Sequence, residues 1–252
     1  MVFKVNKNLL WLLAHPDDEI LGLHLFSNSA NNFIVYLTDG VRTGANYVSA
    51  KRIKEAKEAW SGIDQNAELI FFGTQFGLKD GELQKQINDS HLRDLVAICR
   101  KQKINKIITL QLEGGHQDHD ITSLLAEELS NRLNVELVAF PAYRAIHQRF
   151  PIYAVMSSSS RLVEKNVTSI GSRIRYAKQS ITLIKTYRTQ VTTWVGLGPF
   201  VILKYLFGSL TFLPQSMPEQ TRQEFPKRLL YANRKKSNAI DYANFQKEIS
   251  GW

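Results

Sequence analysis

The chain has 252 residues, 44% hydrophobic and 22% charged, enough to bury a sizeable core; a disordered or low-complexity chain is excluded. Lys and Arg number 32 against 23 Asp and Glu, and this net charge of +9 favours anionic partners over cationic ones. Cys99 is the single cysteine, which rules out an intrachain disulfide and suits a reducing cytoplasm.

The first apolar run, residues 9–14, is too short for the core of a signal peptide and leads straight into Asp17-Asp18-Glu19. Residues 8–14 are therefore expected to form a strand buried on both faces, and cytoplasmic residence is expected. A helix is expected at 19–26 with Asp17 or Asp18 as its N-cap, then a strand at 32–37 ending in the turn Thr38-Asp39-Gly40. Residues 49–60 are rich in strong helix formers, with Ser49 as the expected cap. A third strand is expected at 68–72 and a helix within 83–101, where Cys99 sits in the apolar pattern DLVAICRKQ as a buried filler. Strands at 106–112 and 135–140 flank a helix at 121–133. This alternation predicts an α/β, Rossmann-like fold with a mostly parallel sheet flanked by helices. Residues 1–252 are read as one domain: an α/β core at 1–145 and a C-terminal extension at 146–252 that completes the substrate site. The extension contains an expected helix at 172–186, the most apolar stretch of the chain at 193–213, and a basic run from Arg222 to Lys236.

Two short clusters carry chemistry. His15-Pro16-Asp17-Asp18-Glu19 directly follows the first strand, and ligand sites in parallel α/β sheets form beyond strand C-termini. One carboxylate can join His15 on a metal while the other accepts a proton from a metal-activated water. Alone, the same residues could be a helix-capping turn. The second cluster, Gly114-Gly115-His116-Gln117-Asp118-His119-Asp120, follows the strand at 106–112 and so lies on the same rim. It can supply a metal ligand and an orientable acid/base. Finding half of the six histidines at two strand ends favours a metal site over two capping turns.

AHPDDE followed by GHQDH resembles the LmbE-like (PIG-L) superfamily of zinc-dependent N-deacetylases. The resemblance runs from about residue 9 to 190 and is supported by Thr38-Asp39-Gly40, by Arg52 with Glu55-Ala56, by Asp80-Gly81, and by Lys178 with Tyr187-Arg188-Thr189-Gln190. It implies a metal-dependent hydrolase that removes the N-acetyl group from an N-acetylglucosamine-type amino sugar or its glycoconjugate. The implied metal ligands are His15, Asp18 and His119, holding Zn2+ or, as alternatives, Fe2+ or another divalent metal. Asp17 is the implied base, and His116 the group that stabilises the oxyanion or protonates the leaving amine, with Asp118 orienting it. Arg52 and Asp80 match positions that contact the sugar. The aromatic residue that members often carry near the second motif is absent beside His116; Tyr143 is the nearest candidate.

The stretch 195–213 approaches transmembrane length, but Lys204, Pro199 and three glycines interrupt it. Burial as a helix pair or pocket wall is expected, with peripheral contact at the inner membrane face as the alternative, since a basic stretch follows it. Two rival functions have less support in the sequence. A non-catalytic α/β sugar- or nucleotide-binding protein lacks a G-x-G-x-x-G after the first strand. Nucleic-acid binding has charge but no recognisable module behind it, so no nucleic-acid partner is expected. Oligomeric state has no sequence signal.

Overall fold

The computed structural model describes residues 7–41, 48–145, 153–158, 163–166, 168–214, 247–248 and 251–252; the basic run from Arg222 to Lys236 lies outside them. The apolar run NLLWLL forms β1 (Asn8–Leu13), and NNFIVY forms β2 (Asn31–Tyr36). β3 (Glu68–Ile70), β4 (Lys106–Leu110) and β5 (Glu136–Phe140) follow as shorter strands. β1 pairs in parallel with both β2 and β4, β2 with β3, and β4 with β5. Two strands from the second half, β8 (Glu164–Lys165) and β9 (Thr211–Pro214), add antiparallel beside β5. The sheet is thus seven-stranded in the order β3-β2-β1-β4-β5-β9-β8. A small separate ribbon pairs β6 (Tyr143–Ala145) with β7 (Tyr153–Val155).

Alternate residues of β1 feed two different cores, as the two-residue period of a strand requires. Leu9, Trp11 and Leu13 face α2 (Ser49–Ile63), α7 (Ile170–Thr186) and α8 (Val191–Phe207). Leu10 and Leu12 face α5 (Asp89–Lys101) and α6 (Gln117–Leu133) on the other side. Both faces are covered, so β1 reads as a continuous apolar run rather than an alternating one. Each large apolar side chain buried this way contributes roughly 2–3 kcal/mol. The smaller Cys99 is buried among them, and burial pushes its thiol up to about 12, which fits a filler and not a nucleophile.

The expected elements differ in several places, each for a local reason. The strand expected at 68–72 stops at Ile70, because β3 is an edge strand paired only with β2; Phe72–Phe76 becomes the short helix α3. The helix expected at 19–26 is α1 (Glu19–Gly22) followed by a 3-10 turn at Leu23–Leu25. Asp18 occupies the N-cap position of α1 but makes no side-chain cap bond, because its carboxylate is turned toward histidines instead. Ser49 is the first residue of α2 rather than its cap, and Val48 stands at the cap position without a side-chain bond. The helix at 83–101 is divided into α4 (Leu83–Gln86) and α5 by a capping box at Asn88 and His91. The apolar stretch 193–213 splits at Gly208 into α8 and β9, with Pro199 inside the helix. Among the described residues no helix is long and apolar enough to cross a membrane.

Candidate active site

The order β3-β2-β1-β4 means that the chain runs outward on one side of β1 and resumes on the other at β4. Neighbouring loops diverge at such a switch and leave a crevice beyond the strand C-termini. β1 delivers His15 to Asp18 to that crevice, and β4 leads through Gln111 to His116 and α6. The result is a cavity of about 1040 Å³ lined by His15, Asp17, Asp18, His116, His119 and Tyr143. Arg52 and Asp80 also line it, so of the residues matched to ligand, acid/base or sugar-contact positions only Asp118 does not reach its wall.

Three imidazoles meet there. Ring centroids lie 4.8 Å apart for His15–His116, 5.4 Å for His15–His119 and 5.0 Å for His116–His119. Asp18 bridges two of them: one oxygen is 3.1 Å from His119 Nε2 and the other 3.6 Å from His15 Nδ1. Among the described residues, His15, His116 and His119, and His15, Asp80, His116 and Asp118, form donor groupings with ligand atoms within 4.8 Å of one another. Burial alone would lower His15, yet Asp80 and the hydrogen bonds of Asp118 and Asp18 raise it well above its usual range. Carboxylates gathered around buried imidazole nitrogens make a site that favours a cation, and this donor set suits a divalent transition metal. His119 Nδ1 is buried without a hydrogen-bond partner among the described residues, so that nitrogen is uncommitted.

Asp118 is fully buried below this cluster. Its carboxylate accepts from the backbone N–H of Gly81 at 2.6 Å and lies 3.1 Å from His15 Nε2. It therefore orients His15, whereas His116 Nδ1 accepts from the Asp118 backbone N–H at 3.2 Å. Burial and the neighbouring His15 push His116 down to about 4, so its imidazole is neutral near pH 7 without a metal. Gly115 explains how the second motif is seated: a Cβ there would lie 1.7 Å from the Tyr143 carbonyl oxygen. The same close approach brings the ring of Tyr143, the nearest aromatic candidate in the sequence, to 5.4 Å from that of His119.

Asp17 is held on every side. Its backbone has φ 117°, a conformation that costs a non-glycine residue about 1–3 kcal/mol and persists only where the surroundings impose it. Its carboxylate accepts from Arg52 Nη2 at 3.2 Å and from the Trp194 indole N–H at 3.0 Å, and Arg52 also donates to the Pro16 carbonyl. Burial raises its carboxyl to about 6 against the pull of Arg52. Arg52 is buried rather than exposed, and its path is opened by Gly40, at φ 66°, where a Cβ would meet Arg52 Nε at 2.5 Å.

Two residues given no role by the sequence support this arrangement. Glu19 accepts from the Asp17 backbone N–H at 3.2 Å, from the Tyr36 hydroxyl at 3.1 Å and from the Tyr187 hydroxyl, while Trp60 donates to Tyr36 at 2.7 Å. Glu19 stood in the AHPDDE run and could have been singled out as a buried acid. Trp194 lies in an apolar stretch with no polar neighbour pattern, and nothing in the sequence marks it. The two weaker motifs also meet, since the Thr189 backbone N–H donates to Glu55 at 3.0 Å.

Glu113 ties the loop after β4 to the exit of β5 by accepting from the Ala142 N–H at 2.6 Å. Burial, reinforced by Asp120 and opposed by Arg144, raises its carboxyl from 4.5 to about 8. A raised carboxylate favours the fold in its neutral form. This contribution is therefore full below pH 4.5 and is lost as pH rises toward about 8. Melting curves of Glu113→Gln should decline less over that interval than those of wild type; parallel curves would show that Glu113 is not the group responsible.

Residues 10–130 match the family model described as PIG-L: GlcNAc-PI de-N-acetylase. No curated protein matches the chain with significance. Among solved structures, a deacetylase of the teicoplanin biosynthesis pathway in a bog complex aligns with TM-score 0.59 and 16% identity, over 82% of this chain and 97% of its own. The zinc-inhibited form of a teicoplanin deacetylase aligns at 0.58 and 14%, over 82% and 97%. A conserved protein of Thermus thermophilus aligns at 0.54 and 17%, over 84% and 95%. At these identities the likeness is one of fold.

Proposed function

We propose, on the match of residues 10–130 to the PIG-L family model, that the protein is a metal-dependent hydrolase of the PIG-L (LmbE-like) superfamily acting on an N-acetylated amino sugar. The substrate is an N-acetylglucosamine-type sugar, free or on an aglycone, with lipid-linked glycans included. The single observation that carries this reading is the convergence of both motifs on one cavity at the switch between β1 and β4.

In this proposal His15, Asp18 and His119 hold the metal, with zinc first and iron(II) or another divalent ion as alternatives. A divalent ion so held would acidify a water and polarise the acetyl carbonyl. Asp17 takes the proton of the attacking water, as a buried carboxylate fixed between Arg52 and Trp194 can do without reorienting. The water oxygen bonds to the carbonyl carbon, the C–N bond breaks, and the nitrogen gains a proton, giving acetate and a free amine. His116 donates a hydrogen bond from Nε2 to the developing oxyanion or, once protonated, passes a proton to the leaving nitrogen, and Asp80, 3.6 Å from that Nε2, supports the charged form. Asp118 sets the orientation of His15 directly and of His116 through its backbone. Arg52 and Asp80 are proposed to contact the sugar. The second half is proposed to complete the site within one domain, since Trp194, Leu197 and Phe200 of α8 form a wall of the cavity. The proposed setting is the cytoplasm.

Acetate release from a panel of N-acetylglucosaminides, soluble and lipid-linked, tests the reading. Release that stops with chelator and returns with zinc or iron(II) is expected. Absence of release from all of them, with a metal-loaded protein, would overturn it. Trp194→Phe removes one hydrogen bond to a charged acceptor, worth about 1.5–3 kcal/mol. If Trp194 positions Asp17, kcat should fall roughly tenfold while KM and metal content stay unchanged; a change confined to KM would make it a substrate contact instead.

A further inference from the structure

α8 is apolar on both sides but buried on one. Trp194, Gly198, Val201 and Tyr205 face the core, while Val195, Phe200, Leu203 and Phe207 are 72%, 59%, 53% and 80% exposed. A soluble helix normally sets charged residues on its outer face. α8 sets none there: Val191, Thr192, Thr193, Gly196 and Pro199 complete its exposed side. α7 lies beside it over the same face of the sheet and exposes Ile170 and Ile174. Together these residues form an outward apolar surface of the kind that marks an interaction site.

Charge identifies what covers it. From residue 166 to 214 the sequence contains no Asp or Glu, but it contains Arg173, Arg175, Lys178, Lys185, Arg188 and Lys204. Arg173 is committed to the end of α8, donating to the carbonyls of Tyr205 and Gly208. Arg175, Lys178, Lys185 and Arg188 are exposed. A second copy of this chain would set these cations against their own kind. A bilayer with anionic headgroups would take both the apolar side chains and the cations.

We propose that the outer face of α8, flanked by the cations of α7 and of the turn after it, docks on an anionic lipid bilayer with the mouth of the active-site cavity against the membrane. Docking is in the plane of the interface. α8 has 17 residues, about 25 Å at ~1.5 Å per residue, short of the ~30 Å hydrocarbon core, and its inner face is held by the protein. The edge of α8 that enters the cavity carries Gly196, Leu197 and Phe200, so the docked face and the cavity wall share one helix. One turn away, Trp194 holds Asp17. The docking surface stands without the deacetylase reading; only the placing of the cavity mouth rests on it.

The test is flotation of the full chain with vesicles of phosphatidylcholine alone or mixed with phosphatidylglycerol. Binding is expected only to the mixed vesicles, weakening at high salt. The triple variant Val195→Ser, Leu203→Ser, Phe207→Ser changes residues outside the cavity wall. It should bind at least about tenfold more weakly while melting and releasing acetate from a soluble substrate like wild type. A second variant, Arg175→Gln, Lys178→Gln, Lys185→Gln, keeps the apolar face and should lose the preference for phosphatidylglycerol. The proposal is overturned if wild type ignores mixed vesicles at low salt, or if the triple variant binds them equally well. It is also overturned if the wild type dimerises through this face and the dimer does not float. Docking without acetate release would refute the deacetylase reading and leave the docking surface standing.

Discussion

Asp17→Asn is expected to lower turnover by about 10²–10⁴-fold, the range lost when a positioned general base is removed. Asn keeps the volume of the side chain and is among the few non-glycine residues that tolerate positive φ, so the strained backbone at φ 117° need not change. One oxygen remains to accept from Arg52, while the amide cannot take a proton from water. Metal content after dialysis should equal that of wild type, because Asp17 is not among the proposed ligands. Turnover near the wild-type value would remove Asp17 from the role of base. Loss of metal together with turnover would make it a ligand.

His15→Ala is the complementary experiment and is expected to abolish both metal retention and activity. The His15 imidazole lies between Asp18 at 3.6 Å, Asp80 at 3.3 Å and Asp118 at 3.1 Å, so its removal takes away the nitrogen on which these groups converge. A ligand that binds only the folded state stabilises it by RT ln(1 + L/Kd) at free ligand concentration L, and so raises its melting temperature. Added zinc should therefore raise the melting temperature of wild type and of Asp17→Asn but leave that of His15→Ala unchanged. A zinc-dependent rise in His15→Ala would transfer the ligand role elsewhere in the cluster, with His116, already grouped with His15 and His119, as the first candidate.

Much of the α/β core was legible because its strands are buried on both faces. NLLWLL and KIITL are apolar but for Asn8, Lys106 and Thr109, and a strand covered on both faces explains such short runs. The edge strand β3 was less legible: paired on one side only, it stopped at Ile70 while its apolar residues ran on into α3. Ser49 and Asp18 looked like caps because capping residues are defined by type. Whether a side chain turns to the helix end or to a histidine across the crevice is decided by residues a hundred positions away.

The sequence by itself determined which groups would meet at the crevice, because the segments bearing His15, Asp17, Asp18, His116 and His119 follow directly on strand ends. Spacing along the chain sets what each short segment can offer. The tertiary structure decided how those groups are held. Strand order placed both segments at the switch between β1 and β4, a property of the whole sheet. It directed the Asp118 carboxylate to His15 and left His116 with a backbone donor. It also brought Trp194 onto Asp17 from 177 residues away. Such contacts depend on how helices pack over the sheet, and an apolar stretch like that around Trp194 carries no local mark of the one polar atom it will deliver.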